Sequence, residues 1–289
     1  MRNDFCIFIL SHGRAEKIHT LDMLNNLEYS GKWFIVIDNE DKTSDQYFEK
    51  YGTDKVIMFD KDQAYKKFDR AENFTDRKVI FAARNICFDL AKELNYKYFM
   101  ELDDDYKSID YRFNKDLEYN HKKIETPIFD HIIDNMIKFI ECNKNIVTIT
   151  LAQGGDFIGG TNNPNGKRIR IKRKAMNSFL CSTEKPFNFI GNINEDVNTY
   201  VRLGQEGKIF IMLNHIALEQ YQTQKQSGGM TEIYLKYGTY VKSFYTVMIC
   251  PSCVKISMLI NNKSKRMHHK ISWKNAVPCI INEKYKKLS

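Results

Sequence analysis

An α/β fold is what this sequence predicts, with a mainly parallel central sheet flanked by helices and a helical C-terminal extension. Three observations predict it. Short apolar runs alternate with amphipathic helical patterns through the first half of the chain. Those runs are continuously apolar, as expected for strands buried on both faces by crossover helices. Polar and acidic clusters follow several of the runs, at the strand ends where such sheets bind ligands.

The elements follow in order. Phe5 to Leu10 reads as a buried strand that stops at Ser11-His12-Gly13-Arg14, and Ile18, Leu21, Leu24 and Leu27 then mark one face of a helix. Trp33 to Ile37 is a second strand ending at Asp38, and Lys55 to Phe59 a third. Asp76 to Asn95 predicts a helix, because Val79, Ala83, Ile86, Leu90 and Leu94 recur at three and four. Tyr98 to Leu102 is a strand running into Asp103-Asp104-Asp105. Thr126-Pro127 opens a helix with the apolar stripe Ile128, Ile132, Met136 and Ile140. A strand follows at Ile146 to Leu151, then a Gly- and Asn-rich loop from Gln153 to Gly166 and a basic strand from Lys167 to Lys174. Asn194 to Leu203 reads as a short helix, Lys208 to Leu213 as a strand and Glu219 to Gly229 as a polar loop. From Met230 onward a Tyr- and Lys-rich helical pattern begins, so the chain divides into residues 1–229 and an extension, 230–289.

Composition narrows the function classes. The 289 residues carry 44 Lys+Arg against 36 Asp+Glu, a formal charge of +8 that suits an anionic partner. No apolar run reaches the roughly 20 residues needed to span a bilayer, so no membrane association is expected. The seven cysteines are scattered and odd in number, which fits a reducing cytoplasm better than a disulfide framework. Rare Pro with abundant Lys, Asn, Ile and Tyr hints at an AT-rich genome such as a bacteriophage's. Neither G-x-G-x-x-G nor a Walker A sequence occurs, which disfavours dinucleotide oxidoreductases and P-loop enzymes.

Several clusters bear chemistry. Three adjacent aspartates repel one another unless exposure or a cation relieves them, so Asp103-Asp104-Asp105 suits either a solvated turn or a hard-cation site on a diphosphate. Glu195-Asp196 at a helix start suits the helix dipole, or a base that takes a proton from an acceptor hydroxyl. His215 is a surface or packed histidine, or the last ligand of a metal site. Arg14 and Arg84 pair with phosphates or with local carboxylates. Arg168, Arg170 and Lys172 protect a sheet edge or contact a phosphate backbone, and Lys263 to Lys270 is a second basic candidate. Cys250-Pro251-Ser252-Cys253 has a metal-like spacing but lacks two further ligands nearby, apart from Cys279, His268 and His269.

The order of these signals resembles the GT-A glycosyltransferases. Ser11-His12-Gly13-Arg14 is similar to their nucleotide-binding loop, Asp38 to their base- or ribose-binding acid, Ala82-Ala83-Arg84-Asn85 to their A-R-N helix and Glu101 to Asp105 to their D-x-D region. Gly191 to Val197 resembles their later E-D helix, and His215 stands where many of them place a metal-binding histidine. Within that fold, Ile9 to Arg14, Glu101 to Tyr106 and Gln224 to Met230 resemble the TET/JBP-associated glycosyltransferases, a group linked to phage DNA modification. The resemblance implies a UDP-sugar donor, most simply UDP-glucose, and DNA carrying a 5-hydroxymethylpyrimidine as acceptor. It implies that Ser11, His12, Gly13, Arg14, Asp38, Arg84, Asp103, Asp104 and Lys225 bind the nucleotide-sugar. Asp105, with Asp103 and His215, would hold Mn²⁺ or Mg²⁺, and Asp196, or Glu195, would act on the acceptor. Rival readings are a transferase for a polysaccharide, lipid or protein, a nucleotidyltransferase, and a degenerate DNA-binding module. An aspartate triplet in place of a simple D-x-D leaves the pair to be chosen, here Asp103 and Asp105.

Overall fold

The computed structural model describes residues 1–71, 80–116, 118–124, 126–157, 169–221, 230–261 and 264–277. Its centre is a ten-stranded sheet. The first strands are β1 (Phe5–Leu10), β2 (Lys32–Asp38), β3 (Val56–Phe59) and β4 (Tyr98–Asp103). They pair in parallel in the order β3-β2-β1-β4. Cys6, Phe8 and Leu10 of β1 enter one core, while Phe5, Ile7 and Ile9 enter the other. A strand buried on both faces has no room for a polar alternate, which is why the sequence reads as an unbroken apolar run.

Helices cover both faces. α1 (His19–Asn26) and α5 (Ile128–Glu141) supply Leu21, Leu24, Phe129, Ile133 and Ile137 to one core. α4 (Phe81–Glu93) and α6 (Glu195–Gln205) supply Phe81, Phe88, Val197 and Val201 to the other. Two short helices, α2 (Ser44–Tyr51) and α3 (Lys61–Lys67), complete the crossovers and were not anticipated. The expected helix at 76–95 is observed from Phe81, residues 76–79 lying outside the described part.

The second half of the sheet departs from the simple pattern. β7 (Ile146–Gln153) and β10 (Ile209–Gln220) point the same way as β4, but β9 (Ser178–Ser182) lies antiparallel between β4 and β7. β5 (Tyr106–Phe113) pairs antiparallel with β10, and β6 (Tyr119–Lys123) forms the outer edge. β10 was expected to stop at Leu213. It continues to Gln220 because its register shifts between Leu213 and Ala217, so that the polar Asn214-His215 pair is accommodated without ending the strand. The expected basic strand, Lys167 to Lys174, is reduced to β8 (Ile169–Arg170), which pairs with β10. Residues 158–168 lie outside the described part.

The extension opens with the expected helix, α7 (Met230–Ile249), and adds a hairpin of β11 (Val254–Asn261) and β12 (Ser264–Ile271) and the short α8 (Trp273–Ala276). It packs on the first unit: Tyr245 and Val254 join the core of α4 and α6, and Trp273 stacks on Tyr200 with ring centroids 5.6 Å apart. Gly204 permits this approach, since a Cβ there would lie 2.1 Å from the carbonyl oxygen of Ala276. Among the described residues no helix is long and apolar enough to cross a membrane.

Candidate active site

The parallel strands end together, and the chemistry gathers at that end. Beyond β4 the turn is pinned by Thr20 of α1, whose hydroxyl donates to the Asp103 carbonyl at 2.6 Å and accepts from the Tyr106 amide at 3.1 Å. Each of the three aspartates then meets a different partner. Asp104 accepts from Ser11 Oγ and from Arg14 Nη1, both at 2.6 Å, so the loop after β1 is latched to the turn after β4. Tyr47 reinforces the latch, its hydroxyl 2.7 Å from Ser11 Oγ and accepting from the Arg14 amide at 2.9 Å. Asp105 accepts from Gln220 Nε2 at 2.7 Å. Burial, then the neighbouring Asp103 and Asp104, push its carboxyl up to about 6. With Asp104 engaged by two donors, Asp103 and Asp105 are the carboxylates with most capacity left for a ligand.

Beneath them lies Arg84, 1% exposed and expected from sequence to bind phosphate. In the structure it meets carboxylates, the other partner its sequence position offered. Its Nη2 donates to Asp103 at 3.0 Å, while Nη1 is 3.5 Å from Glu101 and Nε 3.5 Å from Glu195. Phe179 and Phe189 flank the guanidinium at 5.1 and 5.8 Å from their ring centroids. So buried and so surrounded, the side chain organises carboxylates and does not reach outward. One cation faces three carboxylates, Glu101 buried and Asp103 and Glu195 partly buried, and the carboxyl groups shift upward. Burial pushes Glu101 up to about 8 against the pull of Arg84, and its Oε1 has no hydrogen-bond partner. Glu195 rises to about 7, through burial and then the charge of Asp196.

The neighbouring Asn85 clasps the loop that delivers α6, donating to the Phe189 carbonyl at 3.0 Å and accepting from its amide at 2.6 Å. Asn194 precedes α6 in the left-handed region, φ 55°, a conformation Asn tolerates better than most residues. Its side chain donates to the Lys242 carbonyl at 2.8 Å and to Thr246 Oγ1 at 3.1 Å, so the extension fixes the helix start. Asp196 accepts from the Val197 amide at 2.7 Å. Burial raises its carboxyl, against the amide bond and the charges of Arg84, Lys242 and Lys174.

Next to β1 the loop Ser11 to Arg14 faces Asp38. His12 Nδ1 is 2.7 Å from Asp38 Oδ2, and Lys61 Nζ donates to Asp38 Oδ1 at 3.2 Å. The Asp38 hydrogen bond raises His12 above its ordinary value against the effect of burial. Burial raises Asp38 as well, but His12 and Lys61 outweigh it and leave the carboxyl below its usual range. Gly13 turns with φ +67° and donates its amide to Asp41 at 2.6 Å. Sequence reasoning missed Lys61, Asp41, Tyr47, Thr20 and Gln220. Lys61 had a signal: it follows β3 as Asp38 ends β2, and the strand-end argument applies equally to both.

Three expectations fall elsewhere. His215 does not join Asp105. It packs 5.7 Å from Phe113, ring to ring, and burial lowers its pKa. Gln220, not His215, is level with the start of β5 at Tyr106. Five residues of strand, about 16 Å, separate the two. Lys225 and Arg168 lie outside the described residues. Arg170 is half-buried on β8, and burial, then Arg173, lower its pKa. Lys172 follows it, exposed, beyond the end of the strand.

A different basic group approaches the site. Lys174, Lys242, Arg266 and His268 act on one another electrostatically, and Lys242 feels Asp196 and Glu195 as well. Burial, then Arg266, Lys242 and Lys174, lower His268. Ser243 Oγ donates to the Met267 carbonyl at 2.9 Å, binding α7 to β12 so that the two bring their cations together. Cys250 and Cys253 are buried at the end of α7, with Gln205 Nε2 3.1 Å from Cys253 Sγ. No third ligand type joins them in a metal-like cluster among the described residues.

A family model described as TET-Associated Glycosyltransferase matches residues 5–229. No curated protein matches the chain. Among solved structures, glucosyl-3-phosphoglycerate synthase from Mycobacterium tuberculosis, in complex with Mn²⁺, UDP and phosphoglyceric acid, is 11% identical. That match covers 96% of this chain and 88% of the other, with a TM-score of 0.45. A further structure, a mycobacterial protein, is 12% identical over 93% of this chain and 84% of the other, with a TM-score of 0.47.

Proposed function

The chain belongs to the TET-associated glycosyltransferase family, and from that membership we propose that it transfers a sugar, glucose most simply, from a UDP-sugar to the hydroxyl of a 5-hydroxymethylpyrimidine in DNA. As a family member it is a glycosyltransferase; donor, cation and acceptor are inferred from that membership together with the chemistry of the site. The observation that carries the reading is the Arg84 bridge, which joins Asp103 at the end of β4 to Glu195 at the start of α6. It brings a donor-side carboxylate group and an acceptor-side carboxylate pair into one site.

Asp105 and Asp103 would hold Mn²⁺ or Mg²⁺. The fit is chemical: an all-oxygen donor set suits a hard divalent cation, and burial, then the charges of Asp103 and Asp104, push Asp105 up to about 6, a cost to the ionised carboxylate that such a cation offsets. When bound, the cation offsets the charge that develops on the departing diphosphate. Arg14, 3.7 Å from Asp105 and bonded to Asp104, adds a positive charge on the same side. His12, Asp38 and Lys61 form the nucleoside end.

Asp196 takes the acceptor's proton in an inverting transfer. Glu195, turned towards Arg84, positions the helix start and is the less suited of the two. The cations Lys174 and Lys242 beside Asp196, with Arg266 next to Lys242, favour an acceptor with anions near the reacting hydroxyl, as a nucleotide in DNA has. A modified base inside a duplex would have to leave the stack to reach this depth.

The test is transfer from a panel of nucleotide-sugars to hydroxymethylated and unmodified DNA of one sequence, read by mass spectrometry. Mass gain on hydroxymethylated DNA alone is expected. If both DNAs stay unmodified while a glycan or protein gains sugar, the DNA acceptor is wrong and the transferase assignment stands.

A further inference from the structure

On the sheet face that lies opposite Ile109 and Leu218, three ligand-bearing side chains meet: Asp110 of β5, His121 of β6 and Glu219 of β10. One ligand atom from each lies within 4.8 Å of the others. The register accounts for the meeting. Asp110 pairs with Lys123 on one side and Ala217 on the other, so His121 and Glu219, each two residues along, share its face. His121 Nε2 is 3.0 Å from Asp110 Oδ2.

A second observation points to a ligand. Asp110 is 1% exposed, yet its Oδ1 has no hydrogen-bond partner. Its other oxygen accepts from Ser108 Oγ at 2.9 Å and faces His121. A buried carboxylate oxygen without a donor is costly, and a bound cation removes that cost. The cluster is reachable, since the side chains of His121 and Glu219 are 47% and 34% exposed. Arg112 Nη2 holds Glu219 Oε1 at 2.5 Å, which leaves the second Glu219 oxygen for a ligand.

We propose that Asp110, His121 and Glu219 form a second metal site, for a divalent first-row transition ion of the Zn²⁺ type, separate from the Asp103 and Asp105 pair. One imidazole with two carboxylates suits such an ion better than Mg²⁺, and three protein ligands leave a position for water. The ligand atoms need to close by only some tenths of an ångström to reach metal-bonding distances of about 2.1 Å. The ion ties the polar edge strand β6 to β5 and to the end of β10. Gln220, which holds Asp105, is the next residue after Glu219, so the ion also steadies that contact.

The experiment is calorimetric titration of metal-free full-length protein with Zn²⁺, and separately with Mg²⁺, in the absence of nucleotide. The wild type and Asp105→Asn are expected to bind one Zn²⁺ alike and in preference to Mg²⁺. His121→Ala and Glu219→Gln, both at accessible positions, are expected to lose about tenfold or more in Zn²⁺ affinity. Zn²⁺ should also raise the thermal midpoint of the wild type and not of His121→Ala. No Zn²⁺ binding by the wild type would overturn the site. So would unchanged affinity in both His121→Ala and Glu219→Gln, or loss of binding in Asp105→Asn alone.

Discussion

Arg84 Nη2 donates to Asp103 Oδ1 at 3.0 Å, and this one bond joins the helix of the A-R-N triplet to the strand end of the aspartates. The same guanidinium lies 3.5 Å from Glu101 and from Glu195. Removing it leaves the buried Glu101 and the partly buried Asp103 and Glu195 with no cation among them. Breaking a buried ion cluster from one side typically costs about 3–5 kcal/mol. Arg84→Met is therefore expected to lower the denaturant midpoint strongly, and Arg84→Lys less, since charge is kept while the fork is lost. Equal midpoints for Arg84→Met and the wild type would show that the cluster holds no charge that needs Arg84.

Glu101 gives the cluster a pH signature. Its carboxyl shifts from an ordinary 4.5 to about 8 in the folded chain. Below about 4.5 both folded and unfolded chains hold the proton, and the group contributes no pH dependence. Between 4.5 and 8 the folded chain holds more protons than the unfolded one, so stability falls as pH rises through that window and levels above it. Glu101→Gln removes this contribution. The stability difference between variant and wild type should move in the variant's favour from pH 5 to 8, by at most about 1.4 kcal/mol per unit. Urea unfolding across that range measures it, and parallel curves for the two proteins would refute the shift.

Asp105 is the carboxylate on which donor binding should depend most. Asp105→Ala removes a cation ligand and leaves the diphosphate charge facing Asp103 and Asp104. Calorimetry with UDP and Mn²⁺ is expected to show binding that EDTA abolishes in the wild type and that is absent in the variant. UDP affinity that is the same with EDTA, or in Asp105→Ala, counts against a metal at this strand end.

How much of this was legible follows from where each residue's role is decided. β1 and β4 were readable because burial on both faces demands continuous apolar runs, β2 and the edge strand β3 because their runs are apolar too although Met58 is exposed, and the functional ends followed from strand direction alone. β5 has a period-two pattern in Ile109, Tyr111 and Phe113, but it begins directly at the aspartate triplet and carries Asp110 and Arg112 between them. β6, Tyr-Asn-His-Lys-Lys, has almost no apolar signal because it is an edge. β9 is legible as a strand only once β4 and β7 are in place around it. Among site residues, Asp103, Asp105 and Glu195-Asp196 announced themselves as acid clusters. Arg84 was found, but its choice of carboxylates as partners was not legible, because burial is a tertiary property. Thr20 and Gln220 act across 83 and 115 residues of chain, on Asp103 and Asp105, and no local pattern marks them.

Asp196 is expected to matter for turnover and not for donor affinity. It sits at the first turn of α6, fixed by the Val197 amide, while Glu195 is committed to Arg84. Asp196→Asn keeps size and shape and removes the base, which typically costs about 10²–10⁴-fold in rate. UDP binding should stay near the wild-type value. Near-normal turnover would exclude Asp196 as the base and leave it the role of a helix-start carboxylate.

The cations beside Asp196 set the last prediction. Lys174 follows β8 and Lys242 lies on α7, and both act on Asp196, while Arg266 on β12 acts on Lys242, so residues far apart in sequence gather beside one carboxylate. Phosphate contacts should make DNA binding fall with salt, with a slope of about 0.9 per phosphate neutralised. Replacing Lys174, Lys242 and Arg266 by Gln should lower that slope by about 2–3 if each meets a phosphate, and leave UDP affinity intact. Arg168, Arg170 and Lys172 provide the comparison. Arg170 is half-buried on β8 beside Met212, in keeping with a structural place in the sheet. Replacement of those three should change the slope less. Fluorescence anisotropy on hydroxymethylated duplex at several salt concentrations reads both sets. An unchanged slope in the Lys174, Lys242 and Arg266 variant would show that DNA does not cross this face of the site. A larger loss in the Arg168, Arg170 and Lys172 variant would move the acceptor path to β8.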